Sequence, residues 1–143
     1  MIGVVILAVG SAIAVVWIGG LHHAPSSNSS SVVLAPSGTS YSLPIGQISG
    51  VVFTVNATSA LHGSVNSSEG VQMYIMDMAE YEIFGKTGNV TGYEWTSGAV
   101  RATTIYDLDV NVPTGSWILV FSDPNTGIPT GVSVYSSIVL TTP

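Results

Sequence analysis

Hydrophobic and polar positions separate sharply near residue 22. Residues 1–21, MIGVVILAVGSAIAVVWIGGL, contain no charged side chain and a single hydroxyl, Ser11, whereas the next ten, HHAPSSNSSS, are polar. An unbroken apolar run of about 20 residues matches the hydrocarbon thickness of a bilayer when helical, and equally a helix buried on all sides in an assembly. The run is dense in β-branched residues (Ile2, Val4, Val5, Ile6, Val9, Ile13, Val15, Val16, Ile18), which lowers helix propensity in water. In an apolar medium the cost of unsatisfied backbone groups restores the helix. Small residues recur four apart, Ala8 with Ala12 and Gly10 with Ala14, a spacing that lets helix backbones approach closely. Gly19-Gly20 reads as the end of the helix. The pattern predicts one long apolar α-helix over residues 1–22. Its packing positions are Ile2, Val5, Ile6, Val9, Gly10, Ala12, Ile13, Val16 and Trp17.

Beyond a Ser-rich hinge at residues 23–31, the pattern changes to short β-type runs punctuated by turns. Ser31–Leu34 and Thr39–Leu43 read as edge strands before Pro36 and Pro44, and ISGVVFTV at Ile48–Val55 as a strong strand. Leu61–Val65, Val71–Met76, Gly92–Thr96, part of Val100–Val112, Ser116–Phe121 and Val132–Leu140 follow. Asp77–Phe84 is the most helix-like stretch, with Asp77 as N-cap, Glu80 three residues later as a capping box, and Gly85 as the stop. Seven or eight short strands at roughly 8–12-residue spacing predict an antiparallel sandwich, immunoglobulin-like or jelly-roll-like, over residues 32–143. The expected fold class is thus an all-β globular domain preceded by one long apolar helix.

Composition narrows the chemistry. Only 7% of residues are charged, against about 25% in an ordinary domain. No acidic or basic residue precedes Glu69, and the two bases, Lys86 and Arg101, face eight acids for a formal charge of −6. Nucleic acid is excluded as a partner, since phosphate binding needs a basic patch. The polar surface must be built from Ser, Thr, Asn and Gly, a surface whose hydration survives acid, so an acidic or hot extracellular setting is expected. There is no cysteine, hence no disulfide framework, thiolate metal site or thiol nucleophile. A secretory signal or an oriented anchor carries basic residues beside its apolar run, and none is present before Lys86. That absence implies a basic leader removed before Met1. If Met1 is the initiator, the run is an anchor without its usual charge cue.

No motif for nucleophilic, metal-dependent or nucleotide chemistry appears, and no enzyme or cofactor is expected. His22-His23 lack acidic or cysteine neighbours and read as a helix C-terminal cap. Asp107, Asp109 and Asn111 alternate with Tyr106, Leu108 and Val110. The row reads as the solvated face of a half-buried strand, with Ca²⁺ ligation as the alternative. Four Asn-x-Ser/Thr acceptors, at Asn28, Asn56, Asn66 and Asn89, fall in linker, turn or strand-end positions. Such sequons are used on exported chains, and use of at least two is expected.

The layout of apolar leaderless start, Ser-rich hinge and β-domain resembles a mature archaeal type IV pilin. MIGVVILAVGSAIAVVWIGGL is similar in character to archaeal pilin and archaellin N-termini, and VPTGSWILVFSDPN resembles a strand–turn–strand unit of archaeal surface β-domains. The buried Glu usual near the start of bacterial type IV pilins is absent. The resemblance implies a structural subunit that sits in the membrane before assembly and then polymerises with itself. Its N-terminal helices would bundle as the filament core and its β-domain face the medium, for adhesion to surface or cell-envelope receptors. The competing expectations are a membrane-anchored surface domain that never polymerises and a membrane protein of an archaeal virus.

Overall fold

The computed structural model describes residues 4–9, 11–16, 29–124 and 127–143, the first two stretches as backbone. In chain order the elements are β1 (Val4–Val9), β2 (Ser11–Val16), β3 (Ser30–Ala35), β4 (Ser40–Leu43), β5 (Ile48–Val55), β6 (Ser59–Ser67), β7 (Val71–Met76), α1 (Met78–Thr87), β8 (Trp95–Val100), β9 (Tyr106–Val112), β10 (Gly115–Ser122) and β11 (Thr130–Thr142). They form a six-stranded sheet in the order β1-β2-β5-β10-β7-β8 and a five-stranded sheet in the order β3-β11-β6-β9, with β4 also paired to β11. All pairings are antiparallel except β2 with β5, which is parallel.

The period-2 alternation decides which residues enter which layer. Val51, Phe53 and Val55 of β5, Met73 and Ile75 of β7, and Leu119 and Phe121 of β10 meet Leu61, Val65, Leu108, Val110, Val132 and Ile138 of the second sheet in the main core. The intervening positions of the same strands, Ile48, Tyr74, Met76, Ile118 and Val120, form a smaller core with Tyr81 and Phe84 of α1. A strand covered on both faces reads as a continuous apolar run. That is why SWILVF, at the heart of β10, shows no alternation in sequence. Its neighbours on either side, β5 and β7, bury six and five residues in turn along their length.

β11 serves both ends of its sheet. Thr130–Ser133 pair with β4 and Ile138–Thr142 with β3, while the opposite edge pairs with β6 through two register shifts. Gly63 makes this possible. At φ +154 a Cβ there would lie 2.8 Å from Ile138 Cα and 2.9 Å from the Ser137 carbonyl, so only glycine admits the shifted strand.

The internal helix begins as expected and ends later. Asp77 caps it, Oδ1 accepting the Glu80 N–H at 2.9 Å. The reciprocal half of a capping box is not made, because Glu80 instead accepts a hydrogen bond from the Thr91 hydroxyl. The helix passes through Gly85 and stops at Gly88, which takes the left-handed conformation (φ 70) and donates its N–H to Phe84 O at 2.8 Å. Gly85 lies over Ile48.

At the N-terminus the expected architecture is overturned. Residues Val4–Val9 and Ser11–Val16 are strands, and α1 is the single helix among the described residues. No helix of the described residues is long and apolar enough to cross a membrane. The physical reason lies in the run itself. Its β-branched residues pack well on a pleated surface and lose rotamer freedom in a helix. An open edge of β5 also offers backbone partners without an apolar medium or sister helices. The strand expected at Ser31–Leu34 is β3, one residue longer at each end, from Ser30 to Ala35.

Two phenols set an alkaline limit. Tyr41, half-buried with its ring 4.9 Å from that of Phe121, and Tyr74, buried against α1, both have pKa values raised above 10.0 by burial, with a further push on Tyr74 from Tyr93. The folded state therefore holds these protons more tightly than the unfolded chain. Their contribution is fully present below about pH 10 and is lost as pH rises through the folded values. Urea midpoints measured from pH 8 to 11.5 are expected to fall only above about pH 10, and Tyr41→Phe to reduce that fall. A pH-independent midpoint across this range would contradict the assignment.

Candidate functional site

An assembly site was expected along residues 2–17, and the structure distributes those positions over a strand pair. Val5, Ile6 and Val9 lie on β1; Ala12, Ile13 and Val16 lie on β2; Ile2, Gly10 and Trp17 are outside the described residues. The antiparallel register sets Val5 opposite Val15, Ile6 opposite Ala14, Leu7 opposite Ile13 and Val4 opposite Val16. Ala8 and Ala12, read from sequence as a helix-packing pair, are cross-strand partners instead. β2 joins the sheet through three parallel positions, Ile13 with Gly50, Ala14 with Val51 and Val15 with Val52. By contrast β5 is matched along all eight of its residues by β10 on its other side.

The edges of the two sheets differ in kind. An unpaired strand edge invites pairing with another chain, and proteins blunt it with charge, bulges or shortness. β9 carries Asp107 and Asp109, both exposed. β8 is offset by a register shift at Met73/Tyr74 beside Gly98, which sits at φ 66. β3 is interrupted by a shift at Ile138/Val139, and β4 has four residues. Among the described residues β1, VVILAV, has a neighbour on one side only, and it has neither charge nor proline in its sequence. Nothing in the hydropathy of residues 1–21 distinguishes a buried helix from such a strand pair. The available signal was the β-branched density.

The remaining sequence candidates stay apart from this edge. Asp107, Asp109 and Asn111 are exposed while Leu108, Val110 and Val112 are buried, the solvated-face pattern, and Asp109 Oδ1 lies 3.2 Å from His62 Nδ1 on the adjacent β6. Among the described residues no group of three or more His, Cys, Asp and Glu side chains could hold a metal ion. Asn56 and Asn89 are exposed, at the β5–β6 turn and just past the α1 cap; Asn66 is half-buried within β6. Asn28, with His22 and His23, lies outside the described residues.

Sequence reasoning missed a cleft of about 300 Å³ between α1 and the adjoining ends of β7 and β10. Gln72, Tyr74, Phe84, Val90, Ser122 and Asp123 are on its wall. Asp123 is 5% exposed. Its Oδ2 accepts the Gly46 N–H at 2.8 Å, its Oδ1 faces the Thr130 hydroxyl at 3.4 Å, and its own N–H donates to Gln47 O at 3.1 Å. Tyr74 sets its ring edge-on to Phe84 at 5.7 Å and tilted to Tyr93 at 5.6 Å. In sequence these residues lie in four separate segments, so only folding gathers them. No protein-family model matches the chain, and no curated protein or solved structure does so either.

Proposed function

We propose that the chain is a structural subunit of an extracellular adhesive filament, assembled by donation of the β1–β2 pair from one copy to the β5 edge of the next. The observation that carries this reading is the contrast along β5: β10 matches all eight of its residues on one side, whereas on the other an uncharged strand pair joins at three parallel positions. The β2–β5 contact seen within one chain is the contact that would be made between chains. Residues 17–28 separate β2 from the segment leading into β3, and such a length of chain reaches at most about 45 Å when extended. That span suffices to place the pair on a neighbouring sheet. Each copy then gives one strand pair and receives another, a head-to-tail contact that does not close and so propagates as a filament. Main-chain hydrogen bonds supply the affinity, as in other cases of strand addition.

This reading keeps the polymer implied by the likeness to archaeal type IV pilins and gives up its helical shaft. The absence of charge before Glu69 supports it, because every charge in the paired segment would have to be buried between copies. The Ser-, Thr- and Asn-rich outer strands and the exposed sequons at Asn56 and Asn89 suit a surface in contact with the medium. The test is the form in which the protein is recovered. Mechanical shearing of producing cells, without detergent, is expected to release it as filaments visible by negative-stain electron microscopy. Recovery only in detergent, as single subunits, would overturn the reading in favour of an anchored surface domain.

A further inference from the structure

The cleft beside α1 has a wall chemistry that selects its ligand. Neither basic residue lines it: Lys86 is exposed and lies 3.5 Å from Glu82, and Arg101 is elsewhere. A phosphate or carboxylate would meet the buried Asp123 with no cation to offset it, which excludes anions. A divalent cation would find one carboxylate, where hard cations need several oxygen ligands. The wall instead pairs fixed hydrogen-bonding groups with aromatic surface. Asp123 is held in place by Gly46 and Thr130, Gln72 carries an amide that both donates and accepts, and Ser122 adds a hydroxyl. Tyr74, Phe84 and Val90 supply the apolar part of the same lining.

A ring with an apolar C–H face and a rim of hydroxyls satisfies both parts of the lining at once. We propose that this cleft binds a single neutral pyranose ring, its C–H face against the apolar lining of Tyr74, Phe84 and Val90 and its hydroxyls toward Gln72 and Asp123. The volume of about 300 Å³ stands at the low end of ligand sites, the size for one ring and not an oligosaccharide. Two sources of the sugar share this chemistry. One is a saccharide from outside, such as a cell-surface glycan. The other is the chain's own glycan at Asn89, whose neighbours on both sides, Gly88 and Val90, line the cleft. The proposal uses no residue of β1 or β2 and stands or falls apart from the filament.

Saturation-transfer difference NMR on the full-length chain tests it, since that method tolerates large assemblies. The probes are methyl α-D-glucopyranoside, mannopyranoside and galactopyranoside. For glycan-free protein, at least one is expected to give saturable transfer to its ring protons with a Kd on the order of 1 mM, ordinary for a ligand of about a dozen heavy atoms. Val90→Trp, which fills the cleft, and Gln72→Ala, which removes an amide from its wall, should each weaken binding at least tenfold with unchanged thermal melting. Glycosylated protein distinguishes the sources. Binding that is absent from the glycosylated chain and restored by Asn89→Gln identifies the chain's own sugar as occupant; equal binding in both identifies an external one. No saturable transfer to any probe from glycan-free protein overturns the proposal. So does binding that both variants leave intact.

Discussion

Replacing Val15 and Val52 together by cysteine is expected to convert the assembled protein into a covalent ladder. The two positions are register partners across the parallel β2–β5 contact. Neighbouring strands lie about 4.8 Å apart, within the Cα separation of about 4.4–6.8 Å that a disulfide spans. The chain has no cysteine of its own, so any disulfide must involve the introduced pair. If β2 is donated between copies, each bridge joins one subunit to the next. A non-reducing denaturing gel of sheared filaments then shows dimers, trimers and higher multiples that collapse to one band on reduction. If β2 stays on its own sheet, the bridge closes within the chain and the gel shows monomers alone. Filaments that yield only monomers would sink strand donation while leaving a polymer built through another surface. The effect is large because the contact is repeated at every subunit junction.

Phe121→Ala is expected to cost about 3–5 kcal/mol, the range for removing a large buried aromatic side chain. Phe121 is fully buried on β10, the strand flanked by β5 and β7, and its ring meets Tyr41 across the main core at 4.9 Å. Its immediate surroundings are other buried strands, which cannot collapse into the vacated space without breaking ladder pairing on both sides. Against a total stability of about 5–15 kcal/mol that loss is a large share. The melting temperature followed by circular dichroism should fall by roughly 10 °C. A drop under about 3 °C would mean that β10 is not the centre of the packed core. Tyr93→Ala, at an exposed position, is the matched control.

The outer domain was legible where one physical signal dominated. ISGVVFTV marked β5 over the same residues it occupies, and Asp77 marked the start of α1 because a carboxylate before a helical stretch satisfies an orphan N–H. The alternation of Tyr106–Val112 placed its carboxylates outside and its aliphatics inside. Boundaries slipped where two signals competed. Gly85 was expected as the stop, yet the helix continues past it to cap at Gly88, with Phe84 packed edge-on against Tyr74. The strand expected at Gly92–Thr96 begins at Trp95 and runs to Val100, because pairing with β7 and not local propensity selects its residues. The cleft was illegible: Gln72, Phe84 and Asp123 have no local pattern that joins them.

Residues 1–21 show the division most clearly. Their composition by itself determined that the segment must be shielded from water, because burial of about 25 cal/mol per Å² of apolar surface acts without regard to backbone conformation. Composition likewise determined that the chain carries no thiol and only two basic side chains, Lys86 and Arg101. What only the tertiary structure decided is the backbone state of that segment and its neighbours. Hydrophobicity has no direction, whereas hydrogen bonds do. An available edge on β5 satisfies the N–H and C=O groups of β2 as strands, and that choice is made by a partner some 40 residues away in the chain, beyond the reach of any local pattern.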